Sequence, residues 1–160
     1  FTTDTFDKFY AATLVGKAWY RKLALQWFST SRTAFVPTGN ASTFNDPHNT
    51  ATDGRTMVEL KYQTALGATS QLTLRGLYNY SKYRSYDGVS DTSLLAVDYN
   101  HIERYGGQSL GAEARIAWQP SSKLKFTISS EATTALKQSM FGQDILANGE
   151  LETTLQVEAP

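Results

Sequence analysis

Along residues 55–66, RTMVELKYQTAL, alternate letters separate into two different strings. Thr56, Val58, Leu60, Tyr62, Thr64 and Leu66 carry no charge, whereas Arg55, Met57, Glu59, Lys61, Gln63 and Ala65 hold every charge in the stretch. A period of two is that of a β-strand with one apolar and one wet face. The division recurs. Over 70–82, Leu72, Leu74, Gly76, Tyr78 and Tyr80 oppose Gln71, Thr73, Arg75, Asn79 and Ser81, with Leu77 out of pattern. Over 108–118, Leu110, Ala112, Ala114, Ile116 and Trp118 oppose Ser109, Gly111, Glu113, Arg115 and Ala117. Over 123–137, Leu124, Phe126, Ile128, Ala132 and Leu136 oppose Lys125, Thr127, Ser129, Glu131, Thr133 and Lys137. Residues 8–20 and 22–29 show the same alternation less cleanly, and 149–158 offers a seventh strand.

These runs exceed the usual strand of about 5–6 residues and suit the ~9–11 tilted residues that cross a bilayer. Their connections alternate in length. Those at 21, 66–70 and 119–123 are short, and those at 30–54, 83–107 and 138–148 are long. Long loops gathered at one end of a meander are the pattern of an outer-membrane up-and-down barrel. Trp19, Tyr20 and Trp118 lie toward the short turns, and Tyr78, Tyr80, Tyr83 and Tyr86 climb toward the long loops, as two aromatic girdles would. The expected fold is all-β, an antiparallel up-and-down meander forming part of a transmembrane β-barrel, with residues 1–160 as a single segment. Six or seven strands cannot close such a barrel, which needs about eight. The remaining strands are expected from further chain, together with a plug domain, or from partner chains. The start at Phe1, without Met, fits a processed or partial polypeptide.

Composition narrows the picture. Lys plus Arg and Asp plus Glu are 15 each, so the chain lacks the basic excess of a nucleic-acid surface. Nine Tyr and eight Phe favour strands. Without cysteine there is neither a disulfide frame nor a thiolate metal site. No apolar run reaches the ~20 residues of a spanning helix. Mean hydropathy is −0.38, which a barrel tolerates because only alternate residues meet lipid.

Candidate chemistry is sparse. His48, Asp46, His101 and Asp98 fall in predicted loops at one end, at spacings that match no metal-ligand pattern. An outer-membrane hydrolase could use Asp98, His101 and Ser109, but no nucleophile-elbow or phosphate-cradling motif accompanies them. No enzyme, metal or cofactor is therefore expected. The candidate lumen-facing and ligand-facing residues are the charges of the wet faces: Arg55, Glu59, Lys61, Arg75, Glu113, Arg115 and Glu131, with Lys137 on the same alternation. Cross-strand pairing that stabilises the wall is the simpler role for most of them. A soluble β-sheet binding module, or another outer-membrane barrel such as a porin, remains the alternative. A soluble sheet would have to cover Leu72, Leu74, Ile116, Phe126 and Ile128.

The stretch SRTAFVPTGNASTFNDPHNTATDGRTMVELKY (31–62) resembles part of the barrel of TonB-dependent outer-membrane receptors: a strand ending in Ser-Arg, then VPTG, FNDP, a Thr/Asp-rich loop and a strand of the VELKY type. LGAEARIAWQPSSKLKFTISSEAT (110–133) resembles a hairpin of the same barrels. The resemblance implies an interior block of a 22-stranded wall around an N-terminal plug. It also implies location in the bacterial outer membrane and active uptake of a scarce ligand such as an iron chelate, vitamin or glycan. Neither a plug sequence nor an energy-coupling motif is present in these residues.

Overall fold

A computed structural model describes residues 8–36, 48–91, 97–146 and 148–159. They form seven strands: β1 (Phe9–Tyr20), β2 (Leu23–Phe35), β3 (Thr50–Ala65), β4 (Ser70–Asp91), β5 (Val97–Ser121), β6 (Leu124–Leu146) and β7 (Leu151–Ala159). Each pairs antiparallel with its neighbour in sequence, giving one sheet in the order β1 to β7. Among the described residues β1 and β7 do not meet, so the sheet is open and all-β. The meander follows from the turns. Arg21 takes a left-handed φ of 54° between Tyr20 and Leu23, with its guanidinium 5.1 Å from the centre of the Tyr20 ring. Gly67, at φ 87°, turns β3 into β4, where Leu66 N donates to Ser70 O at 2.8 Å. Both positions require the conformation that glycine adopts without a steric penalty.

The turns at residues 21–22, 66–69 and 122–123 lie at one end of the sheet, here the lower end. At the upper end the strands run well into the segments expected as long loops. β4, β5 and β6 have 22, 25 and 23 residues. The region 83–107 is therefore mostly a β4–β5 ladder, and 138–148 is mostly the end of β6. The chain then turns into β7 at Gly149 (φ 86°), where Leu146 N donates to Glu150 O at 2.9 Å. Between β2 and β3 the expected long segment 30–54 is trimmed at both ends, because β2 runs to Phe35 and β3 begins at Thr50. Above the apolar band apolar and polar side chains mix on both faces, so the alternation that marks a strand fades while the backbone pairing continues.

Register fixes the two faces. One row across the sheet reads Gly16–Trp27–Val58–Tyr78–Leu110–Thr134, and the next reads Ala18–Leu25–Leu60–Gly76–Ala112–Ala132. This apolar face extends from the row of Trp118 and Phe126, whose rings stack at 5.6 Å, up to the row of Thr56 and Tyr80. Ten residues at ~3.4 Å each make a band roughly 34 Å long measured along the strands. Its side chains are largely uncovered: Leu60 is 50% exposed, Ile116 47% and Ile128 77%. Among the described residues only Val89 and Ile102 are buried apolar side chains, whereas Asn49, Ser85, Asp87 and Glu113 are buried polar ones.

Two expectations change. A bulge between Gln108 and Ser109 sets Ser109 against Ala135 and Gln108 against Lys137, leaving Leu136 as the extra residue. One inserted residue reverses the side-chain alternation, so Lys137 lies on the face of the apolar band and not on the wet face. There it pairs with Glu158 at 3.5 Å. Trp19 and Tyr83 also fall on the wet face, leaving Tyr20, Trp118, Phe126, Tyr78 and Tyr80 to border the band.

Candidate functional site

The wet face carries one hydrogen-bonded chain of side chains across four strands. Gln26 of β2 donates to Glu59 Oε1 of β3 at 3.1 Å. Arg75 of β4 holds Glu59 Oε2 through Nε (3.2 Å) and Nη2 (2.7 Å), and Nη1 reaches Glu113 Oε2 of β5 at 2.6 Å. Arg115 Nη2 donates to the other Glu113 oxygen at 2.6 Å. Register explains the geometry: Arg75 lies directly opposite Glu113 and one diagonal step from Glu59, while Arg115 sits two residues along on the same side of β5. The Glu113 carboxylate, only 5% exposed, has both oxygens occupied by guanidinium groups. A forked cation is needed here, because Arg75 must reach two carboxylates on opposite neighbours at once.

All seven predicted residues lie on this face. Glu59, Arg75, Glu113 and Arg115 are brought into contact. Arg55, Lys61 and Glu131 are not, and make no ion pair among the described residues. Lys61 stands directly opposite Arg75 and Glu131 opposite Glu113, like charge facing like. Such pairs are unfavourable unless something of opposite charge lies between them.

Above the network the same face becomes aromatic. Tyr83 and Tyr105 are in direct register with ring centres 5.9 Å apart, continued by Met140 and Val157. They edge an open depression of about 480 Å3 floored by Ser81, Gly107 and Gln138. Gly107 keeps it open: a Cβ there would press to 3.2 Å from Ser81 Oγ.

Higher still, a row across β4, β5 and β6 reads Asp87–His101–Asp144. His101 Nδ1 is 2.5 Å from Asp144 Oδ1 and Nε2 is 3.2 Å from Glu103 Oε1. Burial opposes a charge on the imidazole, but hydrogen bonds and the negative charge of Asp144 and Glu103 outweigh it and raise its pKa above the ordinary value. Burial raises the pKa of Asp87, against Ser85, which hydrogen-bonds it, and the His101 charge, which both lower it, while Glu103 adds to the rise. Nearby, Asn49, fully buried, accepts from Gly88 N at 2.7 Å and ties β3's entry to β4.

His101 is thus a strand residue engaged at both ring nitrogens, not a loop histidine. Ser109, eight positions along β5, is about 27 Å away at ~3.4 Å per residue, so that pair forms no catalytic unit. His48 packs its ring 6.0 Å from that of Tyr86, away from the His101 row. Asp46 lies outside the described residues, as does the Asp98 side chain. Among the described residues no three of His, Cys, Asp and Glu are placed to hold a metal ion. The partners of His101 are separated from it by up to 43 positions in sequence, and only the β5–β6 register could have revealed them. The chain matches no protein-family model, and no curated protein or solved structure matches it.

Proposed function

We propose that this sheet is a stretch of wall from a transmembrane β-barrel in the bacterial outer membrane, belonging to a TonB-dependent receptor for active uptake of a scarce ligand. One observation carries the membrane reading. The apolar face is a continuous exposed band that a barrel's strand tilt would set about 25 Å high, whereas on the charged face Glu59, Arg75, Glu113 and Arg115 pair with one another. Water on both sides would leave Leu60, Leu74, Leu110, Ile116 and Ile128 as one uncovered patch. The open edges at β1 and β7 then pair with further strands of the wall. In this reading the Gln26–Glu59–Arg75–Glu113–Arg115 chain stiffens the inner wall. Arg55, Lys61 and Glu131, which make no ion pair among the described residues, meet a plug or solute, and the Tyr83–Tyr105 depression offers a ring-shaped ligand a stacking surface. The receptor assignment rests on the VPTG, FNDP and VELKY resemblance.

Two measurements test the two levels. In a variant whose only tryptophan is Trp27 (Trp19→Phe, Trp118→Phe), fluorescence should be quenched by lipids brominated mid-chain. Quenching only by aqueous quenchers would return the sheet to a soluble binding module. Peptide mapping of the native membrane-extracted polypeptide should find a longer chain with an N-terminal plug. A polypeptide ending near these residues would replace the receptor with an assembled or smaller barrel.

A further inference from the structure

Directly above the apolar band, on its own face, the sheet turns basic. Lys82 occupies the first row beyond Tyr80, and Arg84 and Arg104 occupy the next, in direct cross-strand register. All three are exposed. None makes an ion pair among the described residues, and the Arg104 guanidinium lies over the Phe141 ring at 5.2 Å. The carboxylate of Glu158, in the Lys82 row, is taken by Lys137. At the same height the opposite face carries Tyr83 and Tyr105, and the carboxylates of Asp87, Glu103 and Asp144 lie higher, around His101.

Two arginines directly opposite each other repel. On a wall facing only water or only its own core, a register that aligns them has no benefit. Their position gives them one. A row rises about 5 Å along the normal of a tilted strand, so Lys82, Arg84 and Arg104 stand roughly 5–10 Å beyond the hydrocarbon edge, the depth of lipid headgroups. The repulsion becomes attraction when a phosphate sits between the two guanidinium groups, each offering a planar fork of donors. The ring of Phe141 keeps Arg104 against the wall at the boundary between apolar and polar lipid regions.

We infer that Lys82, Arg84 and Arg104 form a docking surface for phosphate-bearing lipid headgroups in the leaflet on the side of the upper connections. The inference rests on the membrane reading proposed above. Anionic lipid is worth about fivefold in affinity per basic side chain at a membrane surface. The patch would therefore select such lipid over zwitterionic lipid by well over tenfold.

The test reconstitutes the full polypeptide carrying these residues into phosphatidylcholine vesicles containing a minor fraction of phosphatidylglycerol. Lipids retained after gentle detergent extraction are then counted. Wild type should retain phosphatidylglycerol in large excess over its share, and the combined variant Lys82→Gln, Arg84→Gln, Arg104→Gln should lose that excess by at least about tenfold. The charge-keeping variant Arg84→Lys, Arg104→Lys should retain most of it. Equal retention by wild type and the glutamine variant, both shown to insert by Trp27 quenching in the Trp19→Phe, Trp118→Phe background, overturns the lipid site and leaves the membrane reading standing. Failure of wild type to insert even in phosphatidylcholine overturns both.

Discussion

Asp144 Oδ1 lies 2.5 Å from Nδ1 of His101 directly across the β5–β6 ladder, and Glu103 holds the second ring nitrogen from two residues further along β5. A doubly engaged imidazole between carboxylates is a charge-dependent clamp on the upper ends of two long strands. Its pKa in the folded chain is raised above 6.5, so protonation favours the folded state. The contribution is fully present below pH 6.5, the unfolded value, and is lost as pH rises through the raised folded value. His101→Asn should destabilise most in mildly acidic solution and least in alkaline solution. Denaturation midpoints of wild type and variant across that range should converge as pH rises. A constant gap would show that the imidazole acts by shape alone.

Asp87, on the other flank of His101, works in the opposite sense. Burial raises its pKa above 3.8, so its ionised form is the one the fold disfavours. Stability from this group is present below pH 3.8 and declines as pH climbs through the raised value. Asp87→Asn should therefore match or exceed wild type at neutral pH and lose that advantage in strong acid. The same denaturation series, run to low pH, checks the sign.

The alternation in RTMVELKYQTAL and its companions carried the apolar band, the shared wet face and the strand order into view, because each depends only on period two and on short turns. Two kinds of feature stayed hidden. The bulge opposite Gln108 adds one residue without any glycine or proline to mark it, and it moved Lys137 to the other face. The upper halves of β4 to β6, with polar and apolar residues mixed on both sides, lose the contrast by which strands are recognised and read as loops. His101, Asp144 and Glu103 were invisible as a cluster for that reason. Glu59, Arg75, Glu113 and Arg115 were visible as one face, but which of the seven charges touch is decided by diagonal reach across the register.

Arg75 joins two carboxylates that otherwise keep one partner each, Gln26 for Glu59 and Arg115 for Glu113. Arg75→Gln should cost clearly more than Arg32→Gln. The Arg32 pair with Asp53 is roughly half exposed and, as a surface pair, is worth no more than about 1 kcal/mol. A double-mutant cycle of Arg75→Gln with Glu113→Gln should give a nonzero coupling. Additive effects would mean that the observed contacts contribute nothing.

The ring of Trp27 lies flat over Gly16, so that any Cβ at position 16 would overlap it. Gly16→Ala must therefore displace the indole, at a cost of about 1–3 kcal/mol typical of overpacking. The Trp27 emission should shift along with the lost stability. An unchanged spectrum and midpoint would show that the ring does not rest there.

Gly76 and Gly142 separate the environments of the two faces. A Cβ at either position meets nothing within 4 Å, and neither has a positive φ, so a side chain can be added without steric penalty. Gly76 sits in the middle of the apolar band between Leu60 and Ala112, and Gly142 lies on the wet face opposite Glu103. Replacing a strand glycine in water is neutral or gains ~0.5–1 kcal/mol. An arginine facing the middle of a bilayer costs ~2–4 kcal/mol. If the band meets lipid, Gly76→Arg should destabilise by that amount in vesicles while Gly142→Arg does not, a difference in sign and not merely in size. If the band meets water, both substitutions should be harmless. Folding midpoints of the two variants in the same vesicles decide the matter, because a cross-strand pair of the arginine introduced at position 142 with Glu103 adds at most about 1 kcal/mol and cannot produce the loss at position 76.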